Sequence, residues 1–476
     1  MNNIPSLKTL YLADCLLADA NQTFPHFNLT NLEELDLSGN YFHHSIASCW
    51  FLECKGTKIG KFSNLTYLDL SNNNLDGVIT DEHFASLRNL KTLGLSGNSF
   101  RILVDSEYLP PFSLEVALFQ SCHIGPSFPS WLKWQVNITY LDISSANITD
   151  KLPDWFSTTF SNVGRLDISN NAINGSLPAN MEVMTSLSRL YLNSNKLTGQ
   201  IPVLPEGLNI MDISRNSLSG SLPSNFGALY LFDLRLFSNR ITGHIPQSMC
   251  ELQSLDILDL ADNLLTPRAM NITTKKFSGR IPENIGAMWS LESLDLSENN
   301  LSGEIPSSIS NLTYLSSLDL SYNHLTGRIL SGGQLDILYA ENPSMYNGNN
   351  GLCGCPLRRN CSDDGNNNLC GYPLRRNCSD DGNNGLCGYP LRRNCSDHNS
   401  CPSKHGVEIK KYSDTMFLCF GLGSGFVAGL WVVFCTILFK KAWRMAYFRL
   451  FDKVNDKVYL FVVVTWAHVC QKSGTR

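Results

Sequence analysis

One phrase governs what this chain can become. Its 476 residues repeat the pattern LxxLxLxxN, as LDLSGN ending at Asn40, LDLSNN at Asn73, LGLSGN at Asn98 and LDISNN at Asn171. LYLNSN at Asn195, MDISRN at Asn216, LRLFSN at Asn239, LDLADN at Asn263, LDLSEN at Asn299 and LDLSYN at Asn323 continue it. Cys15, Cys122 and Ala146 fall in the same frame, which makes about thirteen units, most of them about 24 residues apart. A unit this short cannot bury its apolar side alone. The units must stack, each covered by its neighbours, with one core running the length of the array.

Within each unit the alternation LxL is that of a strand, with both leucines turned inward and the residue between them facing solvent. The asparagine also turns inward, where its amide can serve backbone groups that the turn leaves unpaired. Cysteine is the other residue this frame accepts, so Cys15 and Cys122 are expected to be buried thiols rather than reactive ones. After the asparagine a second phrase recurs: LTGQIP at 197–202, LSGSLP at 218–223, ITGHIP at 241–246, FSGRIP at 277–282 and LSGEIP at 301–306. Its glycine permits a tight turn and its proline ends strand pairing. Five copies in register resemble the plant-specific class of leucine-rich repeat. The fold expected over 1–330 is an α/β leucine-rich-repeat solenoid with a curved parallel β-sheet. Two steps are long, 33 residues from Asn40 to Asn73 and 36 from Asn263 to Asn299. Cys49 and Cys54 lie in the first excess and fit either a local staple or two unpaired thiols. TPRAMNITTKK at 266–276 interrupts the second.

The stretch 331–401 changes character. GLCGCPLRRNCSDDGNN returns twice with small changes at a step of 17 residues, and eight of the 16 cysteines lie between Cys353 and Cys401. Close-set cysteines in a segment too polar to build its own core read as disulfide staples of a C-terminal cap, formed in an oxidising compartment. Cys370 with Cys378 and Cys387 with Cys395 would each close a short loop, as would Cys361 with either Cys353 or Cys355. Zinc is the alternative, but the spacing lacks paired CxxC geometry and no histidine is near, so neither metal nor cofactor is expected. Sequons at Asn21, Asn28, Asn64, Asn137, Asn147, Asn174, Asn271, Asn300, Asn311, Asn360, Asn377 and Asn394 also point to the secretory pathway. Residues 1–20 lack the basic and apolar runs of a signal peptide. Leu7, Leu10, Leu12 and Cys15 already fit the repeat frame there, so the expectation is an uncapped array or a shortened sequence.

Beyond a juxtamembrane stretch at 402–415, residues 416–439 carry no charge and are long enough to cross a bilayer as a single transmembrane helix. Lys440, Lys441, Arg444 and Arg449 follow, which makes 440–476 a short cytoplasmic tail, too small for a kinase. Gly421, Gly425 and Gly429 share one helix face, where another helix could approach closely. A net charge of −5 lacks the dense cationic footprint that nucleic acid requires.

In this order of repeats, cap, span and short tail, the chain resembles the plant leucine-rich-repeat receptor-like proteins, which look like receptor kinases without the kinase. The likeness covers nearly the whole chain, and the tail LFKKAWRMAYFRLFDKVNDKVYLFVVVTWAH is similar to the grass members. The resemblance implies a single-pass plasma-membrane glycoprotein with its N-terminus outside. Its ectodomain would bind a peptide, protein or microbial ligand, and co-receptor kinases would carry the signal in defence. The sequence departs from that pattern in its first residues, where signal peptide and paired-cysteine cap are missing. It departs again at 264–276, where a non-repeat island would fall, and at 403–414, where SKHGVEIKKYSD replaces an acidic stretch.

Ligand contacts are expected on the solvent-facing strand positions. Most carry Asp and Ser, as in Asp36/Ser38, Asp69/Ser71, Asp295/Ser297 and Asp319/Ser321, and these read as consensus. Four consecutive units differ: Arg165, then Arg189, Tyr191 and Asn193, then Ile210, then Asp233, Arg235 and Phe237. Arginine and aromatic residues are the types that dominate binding hot spots. Val116, Leu118 and Gln120 could extend the patch by apolar contact. No Ser/His/Asp, paired-carboxylate or metal constellation stands out from the repeat consensus, so no enzyme is expected. The competing readings are a degenerate, truncated paralog without receptor activity and a binding protein of the polygalacturonase-inhibitor kind.

Overall fold

Thirteen short strands pair in chain order into one parallel sheet. The computed structural model describes residues 7–17, 31–42, 63–265, 279–330, 332–357, 359 and 361. The strands are β1 (Thr9–Tyr11), β2 (Glu34–Asp36), β3 (Tyr67–Asp69), β4 (Thr92–Gly94), β5 (Val116–Leu118), β6 (Tyr140–Asp142) and β7 (Arg165–Asp167). They continue as β8 (Arg189–Tyr191), β9 (Ile210–Asp212), β10 (Asp233–Arg235), β11 (Ile257–Asp259), β12 (Ser293–Asp295) and β13 (Ser317–Asp319). Each pairs without slippage, so that Leu141 faces Leu166, which faces Leu190, which faces Met211. The period-two alternation sets this register, because a one-residue slip would turn every inward leucine to solvent.

The inward asparagines do what their position suggested. Asn98 donates from Nδ2 to the Leu70 carbonyl at 2.8 Å and to its own Leu95 carbonyl at 3.0 Å, and its Oδ1 accepts the Leu75 N–H at 3.0 Å. Asn195, Asn239, Asn263, Asn299 and Asn323 repeat the arrangement. Each buried amide thereby ties two units together. The ladder also gains a rung that sequence reading passed over. Asn349 bonds Leu320, Tyr346 and Leu325 in the same way, so the repeat frame runs past residue 330.

Two adjacent rungs lack asparagine and are closed by other means. The buried Cys122 thiol donates to the Leu95 carbonyl at 3.3 Å, and burial pushes it up to about 12, an inert group. At Ala146 the backbone substitutes. The Ile124 N–H donates to the Ala146 carbonyl at 3.1 Å, and the next amide, Asn171, accepts from both Ala146 and Ile148. Behind these rungs an aromatic cluster fills the core, with Phe119 on Trp131, Phe84 on Phe112, and Phe156 on Phe160 at 5.2 Å. Cys15 differs from expectation in being only half-buried, because no described unit stacks on the outer side of β1.

The second phrase is strand rather than turn. Its glycines lie in or beside a smaller set of parallel strands, such as Ser217–Ser221 paired with Arg240–Gly243. Gly220 has φ +85°, and a Cβ there would sit 2.8 Å from the Gln200 side chain of the preceding unit. Close stacking, as well as φ, demands the glycine. The prolines then open single turns of 3₁₀ helix, Gln247–Glu251 after Pro246 and Ser307–Asn311 after Pro306.

At the C-terminal end the helix Gln334–Glu341 and the strand Gly351–Cys353 cover the last repeat, and Cys353 pairs with Cys361. This resolves one of the pairings left open, in favour of Cys353. Cys49, Cys54, Cys370, Cys378, Cys387 and Cys395 lie outside the described residues. So do Gly421, Gly425, Gly429 and the whole of 416–439. Among the described residues no helix is long and apolar enough to cross a membrane.

Candidate binding surface

Side chains between the inward leucines project from the concave sheet in columns, set by the strand register. One column runs Val116, Tyr140, Arg165, Arg189, Ile210, Asp233, Ile257 across β5 to β11. Its neighbour runs Leu118, Asp142, Asp167, Tyr191, Asp212, Arg235, Asp259.

In the consensus repeats the outward aspartate is occupied by its own strand end. Asp36 Oδ1 accepts from Ser38 N–H at 2.9 Å and from Ser38 Oγ at 2.6 Å, and Asp142, Asp167 and Asp212 hold Ser144, Ser169 and Ser214 likewise. The Asp–x–Ser pairs are therefore structural.

Among the central repeats β8 and β10 break this pattern, and the column beside the aspartates changes character. The Arg165 guanidinium lies over the rings of Tyr140 at 5.0 Å and Tyr191 at 5.4 Å. Two such contacts hold it with about 1 kcal/mol each. Its Nε is buried with no hydrogen-bond acceptor. Arg189, directly beside it on β8, is exposed, and among the described residues its side chain makes no ion pair or hydrogen bond. Tyr191, Asn193, Ile210 and Phe237 are half-buried. Arg235 is committed internally: Nε and Nη2 donate to the two oxygens of Asp233 at 3.0 and 2.9 Å. Val116 and Leu118 are half-buried on β5, with Gln120 exposed beyond them.

Burial dominates the electrostatics. It raises the Asp167 carboxyl against the lowering effect of its Ser169 bonds, and raises Asp233 against its Arg235 partner. Asp259, half-buried beside Asp295, is pushed up to about 6. Charge on this face is thus uneven, with Arg165 and Arg189 making no ion bridge among the described residues and the Asp259 carboxyl partly neutralised.

Two contributors escaped the sequence reading. Tyr140 precedes Leu141 in the same outward position as Arg165, and its strand frame marks it. Arg215 lies 5.3 Å over the Phe237 ring, yet it sits in the turn before Asn216, outside the strand frame, and nothing local announced it.

The sequons among the described residues keep clear of this face. Asn64, Asn137, Asn147, Asn174 and Asn311 are exposed, Asn300 is half-buried, and none is in a strand of the concave sheet. Asn137 donates to Ser113 Oγ at 2.9 Å and Asn174 to the Thr149 carbonyl at 2.7 Å. A glycosylated amide retains one N–H, so both contacts are compatible with a glycan. Asn21, Asn28, Asn271, Asn360, Asn377 and Asn394 lie outside the described residues.

Leucine-rich-repeat families match residues 52–100, 136–197, 31–52, 207–229, 290–312 and 311–332. The receptor-like protein EIX2 of Solanum lycopersicum is 33% identical over 187 residues, which is 38% of this chain and 18% of that protein. Cuscuta receptor 1 of the same species is 32% identical over 299 residues, 58% of this chain and 26% of the other. The chain spans about a quarter or less of the length of these relatives. Among solved structures, the ectodomain of the Arabidopsis thaliana receptor kinase GASSHO1/SCHENGEN3, in complex with CASPARIAN STRIP INTEGRITY FACTOR 2, superposes with a TM-score of 0.59 at 28% identity. The match covers 75% of this chain and 43% of that one. The Arabidopsis HAESA ectodomain, in complex with an IDA peptide hormone, superposes with a TM-score of 0.52 at 27% identity, covering 69% and 51%. Repeats, register and relatives together make this chain a leucine-rich-repeat solenoid similar to the plant receptor-like proteins.

Proposed function

We propose that the chain is the recognition part of a cell-surface receptor whose concave sheet binds a peptide or protein, and that partner receptor kinases carry its signal in plant defence. The observation that carries this reading is the departure of β8 and β10 from the Asp–x–Ser consensus, with Tyr140 and Arg165 in the neighbouring column on β6 and β7. On β8 and β10 the strand ends stop bonding themselves and present Tyr191, Asn193 and Phe237, next to Arg165 and Arg189 in the adjoining column. Support comes from two solved neighbours, receptor ectodomains in complex with CASPARIAN STRIP INTEGRITY FACTOR 2 and with an IDA peptide hormone. On this reading, 416–439 anchors the chain in the plasma membrane, and the glycine face at Gly421, Gly425 and Gly429 meets a kinase span.

The test is to express the full chain in plant cells, challenge them with microbial extract, and recover co-purifying receptor kinases. The expected result is a glycosidase-sensitive protein whose kinase association rises on challenge. That rise should be lost when Arg189, Tyr191, Arg235 and Phe237 are replaced together by alanine. A chain insensitive to glycosidase, or a quadruple variant that responds as the parent does, would count decisively against the reading.

A further inference from the structure

We infer that the solenoid has interchangeable caps: residues 382–395 can displace 348–361 from the last repeat, whereas the copy between them cannot. The seated cap shows what the place demands. Asn349 is its buried rung, donating to the Leu320 and Tyr346 carbonyls and accepting the Leu325 N–H. Leu352 is fully buried, and the strand around it pairs Gly351 to Thr326 and Cys353 to Arg328. Gly348 is left-handed at φ +75°, and a Cβ there would lie 2.8 Å from the Tyr322 Cα. Gly351 meets a second steric limit. A Cβ there would sit 2.5 Å from the Thr326 methyl and 2.9 Å from the Leu325 carbonyl oxygen, a backbone atom that cannot turn aside. The staple Cys353–Cys361 then returns Arg359 to the strand, where its carbonyl accepts the Gly354 N–H and its guanidinium donates to the Asn350 carbonyl. The copy thus closes its own strand edge, so further copies must compete for the same place rather than stack upon it.

The chain beyond Cys361 meets those demands once. Every residue of 348–361 just named recurs at a step of 34 residues, with Gly385 in the place of Gly351. At the step of 17 all recur but one: Asn368 stands where Gly351 does, and its side chain has no room. The Cys353–Cys361 bond lies inside its copy and moves with it, so exchange asks for no thiol chemistry there. Loop closure decides between the two competent copies. With 382–395 seated, the 34 residues 348–381 are looped out, which favours the first copy on the order of a hundredfold. The first copy is therefore the resident one. On the anchor reading above, exchange cuts the tether before 416–439 from the 54 residues 362–415 to the 20 residues 396–415. Its flexible span falls from about 40 Å to about 25 Å, which sets how far the solenoid can stand from the membrane.

Hydrogen–deuterium exchange on the full chain in detergent tests the exchange of caps. The Ile329 N–H, which donates to the Cys353 carbonyl at 2.9 Å, reports a seated cap. In Gly351→Asn it should remain protected, by up to about a hundredfold less than in the parent, while slow exchange moves from 351–353 to 385–387. Adding Gly385→Asn should expose Ile329. Adding Asn368→Gly to that double variant should return the protection, now with slow exchange at 368–370. Two deletions ask the same question without a crowded side chain. Removing 348–381 joins Asn347 to Gly382 and should leave Ile329 protected as in the parent, whereas removing 348–364 brings Asn368 into place and should expose it. An exposed Ile329 in Gly351→Asn, or after removal of 348–381, overturns the exchange. Slow exchange that stays at 351–353 in Gly351→Asn, or no return of protection with Asn368→Gly, overturns the steric selection on which it rests. None of these readouts depends on the anchor, so the exchange and the receptor reading fail separately.

Discussion

The repeats at β6 to β8 and those at β12 and β13 share one skeleton and present opposite surfaces. In both, the inward leucines are buried to within a few per cent and pair leucine to leucine along the register. Outward, β12 and β13 carry Ser293/Asp295 and Ser317/Asp319, with each aspartate bound to the N–H two residues on. On β6 and β7 the aspartates Asp142 and Asp167 keep that bond but stand beside Tyr140 and Arg165, and on β8 the pair is Arg189 and Tyr191, so that rings and guanidinium meet across strands. The inward residues answer to two neighbouring units at once, so their identity is constrained. The outward ones meet only their strand end and their neighbours on the same face, and they are the positions where one repeat can differ from the next at little cost to the stack.

The largest effect should come from the skeleton. Asn195→Ala removes two donated bonds and one accepted bond, and leaves the Ile168 and Leu192 carbonyls and the Ile173 N–H without that amide inside the core. The expected loss is about 3 kcal/mol in equilibrium urea unfolding, since each orphaned buried group costs about 1 kcal/mol or more. The reciprocal change, Ala146→Asn, should not restore stability, although it restores the consensus. Ala146 is fully buried, and its backbone has already taken the Ile124 N–H that an asparagine would accept. Inserting an amide there overpacks a closed core and should cost about 2 kcal/mol. A stabilising Ala146→Asn would show that the ladder tolerates substitution independently of local backbone geometry.

That asymmetry also marks where sequence reading reaches its limit. The register, the inward leucines and the asparagine bonds follow from period and residue type, because every unit must solve the same packing problem. The backbone repair at Ala146 does not follow, since it depends on how far the neighbouring turn moves in. The same holds at the site. Arg165, Arg189 and Tyr191 were visible as departures from consensus within a known frame. The commitment of Arg235 to Asp233 was not, because the same two residues two apart could equally have faced solvent independently. Arg215 over Phe237 was beyond reach for a different reason, since the turn that carries it has no frame to depart from.

A second prediction locates the border between the two surfaces by pH. Asp259 on β11 has its carboxyl raised from 3.8 to about 6, chiefly by burial and further by Asp295, against the lowering influence of Arg235. The folded state therefore holds a proton that the unfolded state has released. This contribution to stability is fully present below pH 3.8 and is lost as pH rises through about 6. A shift of that size corresponds to at most about 3 kcal/mol, less after allowance for the solvent that reaches the group. Asp259→Asn keeps an oxygen for the Ala261 N–H and removes the charge. It should raise Tm by up to a few degrees at pH 7.5 and leave it unchanged at pH 3.5, read by circular dichroism. An equal gain at both pH values would mean that packing, not ionisation, distinguishes this position.

The smallest effect tests the comparison most finely, because it makes the same substitution on both sides of it. The residue before each ladder asparagine adopts a left-handed conformation, including Arg215 at φ +54° and Glu298 at φ +52°. A side chain there costs about 1 kcal/mol, and glycine removes that strain while adding backbone entropy to the unfolded chain. For the exposed Glu298, whose side chain has no described partner, Glu298→Gly should gain about 0.5 kcal/mol. Arg215 starts from the same backbone but lies over Phe237, a contact worth about 0.5–1 kcal/mol. Arg215→Gly should therefore show no gain, or a slight loss, in the same unfolding assay. If both variants were stabilised equally, Arg215 would be an ordinary turn residue and the patch would end at Phe237. If only Glu298→Gly gained, the binding surface would extend off the strands into the turn that follows them, and Arg215 would join the residues to be varied in any search for ligand.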